Sequence, residues 1–248
     1  MEREEFKLYY QPIISLETGR LSGFEALLRW QHPKRGLVSP NEYIHVVEDT
    51  GLILPVGRWV ILEACNQLRQ WQTQYETASS LTMSINLSGK QFIDRDLFAF
   101  IGQVLNTTKL TDNTLLLEVT ESVMMENIEL SAALLTKFRS RRIRTCIDDF
   151  GTGYSSLSYL QKLPIDRLKI DHSFVARMGD DPKSLEIVHT IISLAQTLGT
   201  QVIAEGAETA EQVARLKIWK CQYGQGFYFS TPLPPDAAAE FLAADRRW

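Results

Sequence analysis

The spacing of hydrophobic and polar positions switches along this chain between a period of two and a period near 3.6, and that switching predicts its elements. Alternating or short apolar runs predict strands at residues 8–14, 21–30, 81–87, 115–119, 143–147, 167–171, 201–205 and 222–229. Helical spacing predicts helices over residues 59–71, 92–105, 127–141, 184–198, 209–217 and 235–244. Another helix is expected at Ser39-Pro40-Asn41-Glu42, which reads as a capping box with proline at the first helical position. Strand alternates with helix in about eight units of roughly 30 residues, the size of a βα unit. No linker or low-complexity stretch interrupts them. The pattern predicts an α/β fold, a modified (β/α)8 TIM-type barrel spanning residues 1–248 as a single domain. The turn Glu17-Thr18-Gly19-Arg20 is too short for a crossover, so the first strand must be antiparallel to the second.

Composition narrows the function classes. The chain has 248 residues, 44% hydrophobic and 23% charged, which is enough apolar material for a sizeable core. A formal charge of −4 supplies no field for long nucleic acid. Residues 139–144 hold four arginines, but these close a helical pattern, where cations suit the C-terminus. Cys65, Cys146 and Cys221 are odd in number and sit mostly among apolar residues, which suits a reducing cytoplasm better than a disulfide framework. With neither an export signal nor a long apolar run, membrane contact is expected only through segments upstream of this sequence.

The polar residues inside the strand pattern carry the chemistry. Residues 147–157 read IDDFGTGYSSL: a strand empties into Asp148 and Asp149, Gly151 and Gly153 allow a sharp bend, and residues 154–157 start a helical turn. An adjacent acid pair is by itself an ordinary turn former. A shared divalent cation would also explain it, by removing the repulsion. On residues 21–30, Gly23, Glu25, Leu27 and Arg29 share a face, giving either a plain salt bridge or a metal ligand beside a phosphate-binding arginine. Ser84 and Asn86 line one strand, and Glu118 interrupts a strongly apolar one with Glu121 just beyond. Lys169 and Asp171 share a face, and Glu205 ends its strand.

Glu25, Asn86, Glu118, Asp148, Lys169, Asp171 and Glu205 therefore all lie in or at the ends of strands. The C-terminal strand ends of a (β/α)8 barrel converge on one mouth. Five carboxylates and an amide there require cations, and oxygen donors favour Mg2+ or Mn2+ over zinc. The four histidines are not spaced as a metal cluster. Such a site suits phosphodiester hydrolysis by two ions about 3.5–4 Å apart. Asp148 would bridge them, Asp149 would stand on the second ion, and Lys169 would orient water and stabilise charge on phosphorus.

Eight motifs strengthen this reading: YQPI at residues 10–13, EALLRW at 25–30, SINLS at 84–88, LEVTES from Leu117, DDFGTGYSSL from Asp148, LKID from Leu168, AEGAET from Ala204 and QGFYFSTPLP from Gln225. In order and spacing they resemble the EAL-domain cyclic di-GMP phosphodiesterases over essentially the whole chain. That resemblance implies metal-dependent hydrolysis of cyclic di-GMP to linear pGpG in bacterial signalling. By motif, Glu25, Asn86, Glu118, Asp148, Asp149 and Glu205 match the metal-site residues. Lys169 and Asp171, with Glu25, match the catalytic set. Arg29 matches a substrate phosphate contact, and Gln225 a substrate-side glutamine that supports the site. Glu121 matches the glutamate that holds the loop from Asp149 to Ser156, which in the family links the metals to a dimer interface. Glu208 is a further acid of that region. A homodimer in the cytoplasm is expected, alone or as the cytoplasmic domain of a larger membrane-associated signalling protein. Some members keep the fold without turnover, so a cyclic di-GMP receptor or a dimerisation module is the alternative. None of these positions is lost here; the departures are mild, at Ala207 and Lys220, where other residues are commoner.

Overall fold

Strands that bury both faces need a covered side and an enclosed side, and closing the sheet on itself supplies both. The structure, a computed structural model, describes residues 5–153 and 157–248. β1 (Phe6–Ser15) and β2 (Leu21–His32) form an antiparallel hairpin that sets Gln11 opposite Glu25. A short β3 (Gly36–Val38) folds back on the far end of β2. β4 (Thr82–Asn86), β5 (Leu115–Thr120), β6 (Arg144–Phe150), β7 (Arg167–Ile170), β8 (Gln201–Glu205) and β9 (Tyr223–Gln225) follow in parallel register from β2 onward. β9 then pairs with β1, antiparallel, and closes the barrel. β1 runs against both of its neighbours, so the expected modified (β/α)8 barrel with an antiparallel first strand is the architecture found.

Eleven helices are described: α1 (Ile44–Asp49), α2 (Ile53–Gln74), α3 (Gly89–Phe92), α4 (Leu97–Thr108), α5 (Glu121–Glu126), α6 (Ile128–Ser140), α7 (Leu157–Leu160), α8 (His172–Arg177), α9 (Pro182–Leu198), α10 (Ala210–Ile218) and α11 (Pro235–Ala243). Several boundaries differ from expectation, and the helix expected over residues 92–105 is two, α3 ending at Phe92 and α4 beginning at Leu97. Ser39 makes no side-chain cap bond, and Pro40–Glu42 is a single 3-10 turn rather than a capped helix start. Reciprocal capping boxes occur instead at Ser88/Gln91 and Thr209/Gln212. α2 begins at Ile53, because Ile53, Val56 and Val60 extend the buried stripe backwards. The last strand stops at Gln225, where the backbone N–H groups of Phe229 and Ser230 turn back onto the Gly226 carbonyl. The helical turn expected from residue 154 lies partly outside the described residues, and α7 takes it up at Leu157.

The period of two divides the strand residues between two cores. Leu117, Ile147, Leu168 and Val202 point outward into the large core shared with the helices. Ile13, Leu116, Cys146 and Ile203 point inward and form a separate apolar belt across the barrel. All three cysteines are buried free thiols. Among the described residues no helix is long and apolar enough to cross a membrane.

The hairpin that carries Glu25 is clamped from outside by α2. Trp71, 1% exposed, meets the Tyr10 ring edge-on and the Phe24 ring at a tilt, each at 4.9 Å between centroids. Trp71→Ala opens a cavity under both strands and is expected to cost roughly 3–5 kcal/mol of unfolding free energy. Urea unfolding followed by circular dichroism checks this, and an unchanged midpoint would show that the clamp contributes nothing.

Candidate active site

Inward positions above the apolar belt carry polar side chains on every strand that reaches the C-terminal mouth. The centre is Lys169 of β7, 1% exposed. Its Nζ donates to Glu25 Oε2 at 2.9 Å and to Glu118 Oε2 at 3.0 Å, and lies 3.8 Å from Asp148 Oδ1 and 3.9 Å from Glu205 Oε2. Four strands thus aim a carboxylate at one ammonium. Burial alone would depress the lysine, but Asp148, Glu118, Glu205 and Glu25 outweigh it and hold the ammonium well above its ordinary value.

The acids divide by their donors. Glu25 is also buried, yet it stays below the usual glutamate range. Its Oε2 accepts from Lys169 and from Gln225 Nε2 at 2.6 Å, and its Oε1 accepts from Asn86 Nδ2 at 2.6 Å. Among the described residues the Glu118 side chain accepts from Lys169 alone, and its Oε1 is buried without a hydrogen-bond partner. Burial, only partly offset by Lys169, together with Glu25 and Asp148, pushes Glu118 up to about 8. Burial likewise pushes Glu205 up to about 7 and raises Asp148 and Asp149. One ammonium does not balance this many carboxylates.

Asp148 and Asp149 are neighbours in sequence, so a regular strand would send one of them away from the mouth. A bulge between Ile147 and Phe150, with Asp149 in the left-handed region at φ 54°, keeps both near it. The Asp149 N–H closes this turn by donating to Asp148 Oδ1 at 2.9 Å. The following loop is tied to α5, where Glu121 Oε2 accepts from the Gly151 N–H at 2.9 Å. Gly151 has φ 102°, and a Cβ on Gly153 would come within 2.7 Å of Glu121 Oε1. The sequence-level bend therefore has two parts: positive φ at the first glycine and a close approach at the second.

The remaining positions lie around this centre. Asp171 is the N-cap of α8 rather than a strand residue. It accepts from the Ser173 N–H at 3.0 Å, from the Ser173 hydroxyl, and faces His172 Nδ1 at 3.1 Å. Burial opposes its charge, but the Ser173 bonds and His172 outweigh it and keep its carboxyl low. Among the described residues Arg29 forms no bridge to Glu25, so the salt-bridge alternative does not apply. Its Nη1 donates to the Leu28 carbonyl at 2.9 Å, and it borders a cavity of about 450 Å3 shared with Leu27, Pro40, Asn41, Asn86 and Glu118. Gln225 is fully buried beneath Glu25. Glu208 is exposed, and its N–H donates to Gln212 Oε1 at 2.7 Å at the start of α10. The sequence pattern assigns no role to Gln11, whose Oε1 accepts from Gln225 Nε2 at 3.0 Å and whose Nε2 donates to the Ser230 carbonyl at 3.2 Å. An amide at an inward position of an apolar strand was the available signal.

Hard divalent cations fit this chemistry. The metal-donor atoms are all oxygens, the carboxylate charge exceeds the cationic charge, and Glu118 Oε1 is a buried acceptor without a donor among the described residues. Among the described residues no group of three acidic, histidine or cysteine side chains forms a ready metal cage. Lys169 stands between them instead.

A closed α/β barrel with one reversed strand and an acidic mouth around a buried lysine defines the class of protein. Residues 1–232 match the family model of the EAL domain, and the chain belongs to that family. It is 43% identical over 242 residues to the signaling protein YkoW of Bacillus subtilis, covering 98% of this chain and 30% of that protein. It is 39% identical over 234 residues to the cyclic di-GMP phosphodiesterase PdeR of Escherichia coli, covering 94% of this chain and 35% of that protein. The chain spans about a third of the length of the curated relatives it matches. A solved structure of the PaMucR phosphodiesterase in complex with c-di-GMP superposes with a TM-score of 0.92 at 38% identity, over 96% of this chain and 95% of that one. MucR is a protein of Pseudomonas aeruginosa.

Removing the central ammonium leaves buried carboxylates without a cation. Lys169→Met is expected to lower the stability of the metal-free protein by roughly 3–5 kcal/mol, read from urea unfolding in the presence of a chelator. A midpoint equal to that of the unaltered chain would show that Lys169 does not neutralise the mouth.

Proposed function

We propose that residues 1–248 form one phosphodiesterase domain that hydrolyses cyclic di-GMP to linear pGpG with two divalent cations, Mg2+ or Mn2+. The observation that carries the reading is the convergence of Glu25, Glu118, Asp148 and Glu205 on one ammonium in a buried mouth, beside the cavity that Arg29 borders. The names of PdeR and of the PaMucR complex support the substrate.

Glu25, Asn86, Glu118, Asp148, Asp149 and Glu205 would hold the ions. When bound, divalent cations polarise phosphoryl oxygens and make water acidic enough to attack at neutral pH. The protein's own groups do the rest. Gln225 and Asn86 fix both oxygens of Glu25, and Gln11 in turn holds Gln225. Arg29, half-buried at the cavity edge, takes a substrate phosphate. Lys169, locked as an ammonium, stabilises the negative charge that develops on phosphorus oxygens. Asp171, kept ionised, accepts a proton from the attacking water. Water adds across one P–O bond of the ring, leaving a 5′-phosphate and a free 3′-hydroxyl. Through its bond to Gly151, Glu121 couples α5 to the loop after the acid pair, the reading's route to a homodimer interface; Glu208 belongs to the same region. The reading places the domain in the cytoplasm, which three free buried thiols support.

A second reading is a cyclic di-GMP receptor without turnover. It is favoured by Lys169 itself, which already bonds Glu25 and Glu118 where a metal would need them.

The test is incubation of the purified chain with cyclic di-GMP and Mg2+ or Mn2+, with products resolved by chromatography. The expected outcome is pGpG with either ion and none with a chelator. Glu25→Ala, checked for fold by circular dichroism, is expected to cut turnover by at least about 10²–10³-fold. Tight binding with no product from the unaltered chain would replace the enzyme with the receptor.

A further inference from the structure

The opposite end of the barrel carries the opposite charge. Along β6, Arg144 shares the inward face with Cys146 and Asp148, and along β7 Arg167 shares it with Lys169. Arg144 and Arg167 therefore sit N-terminal to the mouth residues of their own strands, in register with Leu116 and Cys146 of the apolar belt that also holds Ile13 and Ile203. Arg167 is 1% exposed. Its guanidinium stacks on the Tyr223 ring at 4.1 Å, and its Nε donates to Gln201 Oε1 at 3.3 Å. Its Nη1 is buried and has no hydrogen-bond partner among the described residues.

Neither arginine forms an ion pair among the described residues. The acids at this end are engaged elsewhere. Asp112 pairs with Arg142, and Asp166 pairs with Arg139 and accepts from the Thr145 N–H. Burial, and then the charge of Arg144, hold the Arg167 guanidinium below its ordinary value despite help from Tyr223 and Cys146. Two like charges close enough to repel, one of them buried with a free donor, repeat in mirror image the imbalance at the mouth. Left unpaired, a buried charge is costly.

The surroundings already orient the group. Tyr223 covers one face of the guanidinium and Gln201 occupies Nε, which leaves Nη1 as the donor available to an oxygen of an anion. Gln201 is exposed and Arg144 half-buried, so solvent reaches the rim of the site.

We propose that Arg167 and Arg144 form an anion site at the N-terminal end of the barrel, which takes a small oxyanion of the phosphate class. Tyr223 and Gln201 position the Arg167 guanidinium, and Arg144 supplies the second cation from the rim. The site is separate from the mouth and does not depend on the phosphodiesterase reading.

The test is calorimetric titration of inorganic phosphate into the full chain in Tris buffer with a chelator, so that no metal at the mouth can bind it. One saturable site is expected, with affinity falling roughly tenfold or more in Arg167→Met and also in Arg144→Gln. Melting temperatures should cross: Arg167→Met equal to or above the unaltered chain without phosphate, and below it with saturating phosphate. No saturable heat from the unaltered chain overturns the proposal. So does the same affinity in Arg167→Met, which would reduce phosphate to a general salt effect. If Arg167→Met does not fold, the more exposed Arg144→Gln decides by the same criterion.

Discussion

A buried charge must be balanced by the groups around it, and in this barrel that constraint falls on Lys169. The strand that carries it could not place an ammonium at 1% exposure unless neighbouring strands delivered carboxylates to the same point. Glu25 comes from β2, Glu118 from β5, Asp148 from β6 and Glu205 from β8, so the charge cluster ties together strands distant in sequence. The same cluster leaves negative charge in surplus, which makes the mouth receptive to divalent cations.

Secondary features serve that arrangement. The β6 bulge puts two consecutive aspartates at one mouth, at the cost of a left-handed aspartate. Gln11 and Gln225, both buried, continue the network downward from Glu25 and leave it a single orientation. Toward the other end come the apolar belt, with Arg167 in register with its Cys146, and then Arg144. The barrel interior is therefore polarised along its axis, and each end presents charge that its own side chains do not fully neutralise.

Much of the fold was legible in the sequence because strands and helices differ in hydrophobic period, and the pattern repeated at βα spacing. The reversed first strand was legible because its turn is too short for a crossover. Less legible were local ends. Ser39-Pro40-Asn41-Glu42 has a capping box's letters, but Ser39 makes no cap bond, whereas Ser88 and Thr209 do. Capping is settled by whether the chain leaves the helix at the angle the hydroxyl needs, which residue types alone do not report.

The same division holds at the site. Which residues carry charge inside the strands, and that they share the mouth of one barrel, was determined by the sequence, because a period of two assigns faces and the fold gathers strand ends. Asp149 escaped that rule: alternation sends it outward, and only the bulge, a property of the pairing between β6 and β7, brings it back. Which acid would stay charged was likewise undecided. Glu25 and Glu118 are both glutamates within apolar strands, yet one receives three donors and the other a single one. Hydrogen bonds between strands far apart in the chain decide that difference, so it exists only in the tertiary structure.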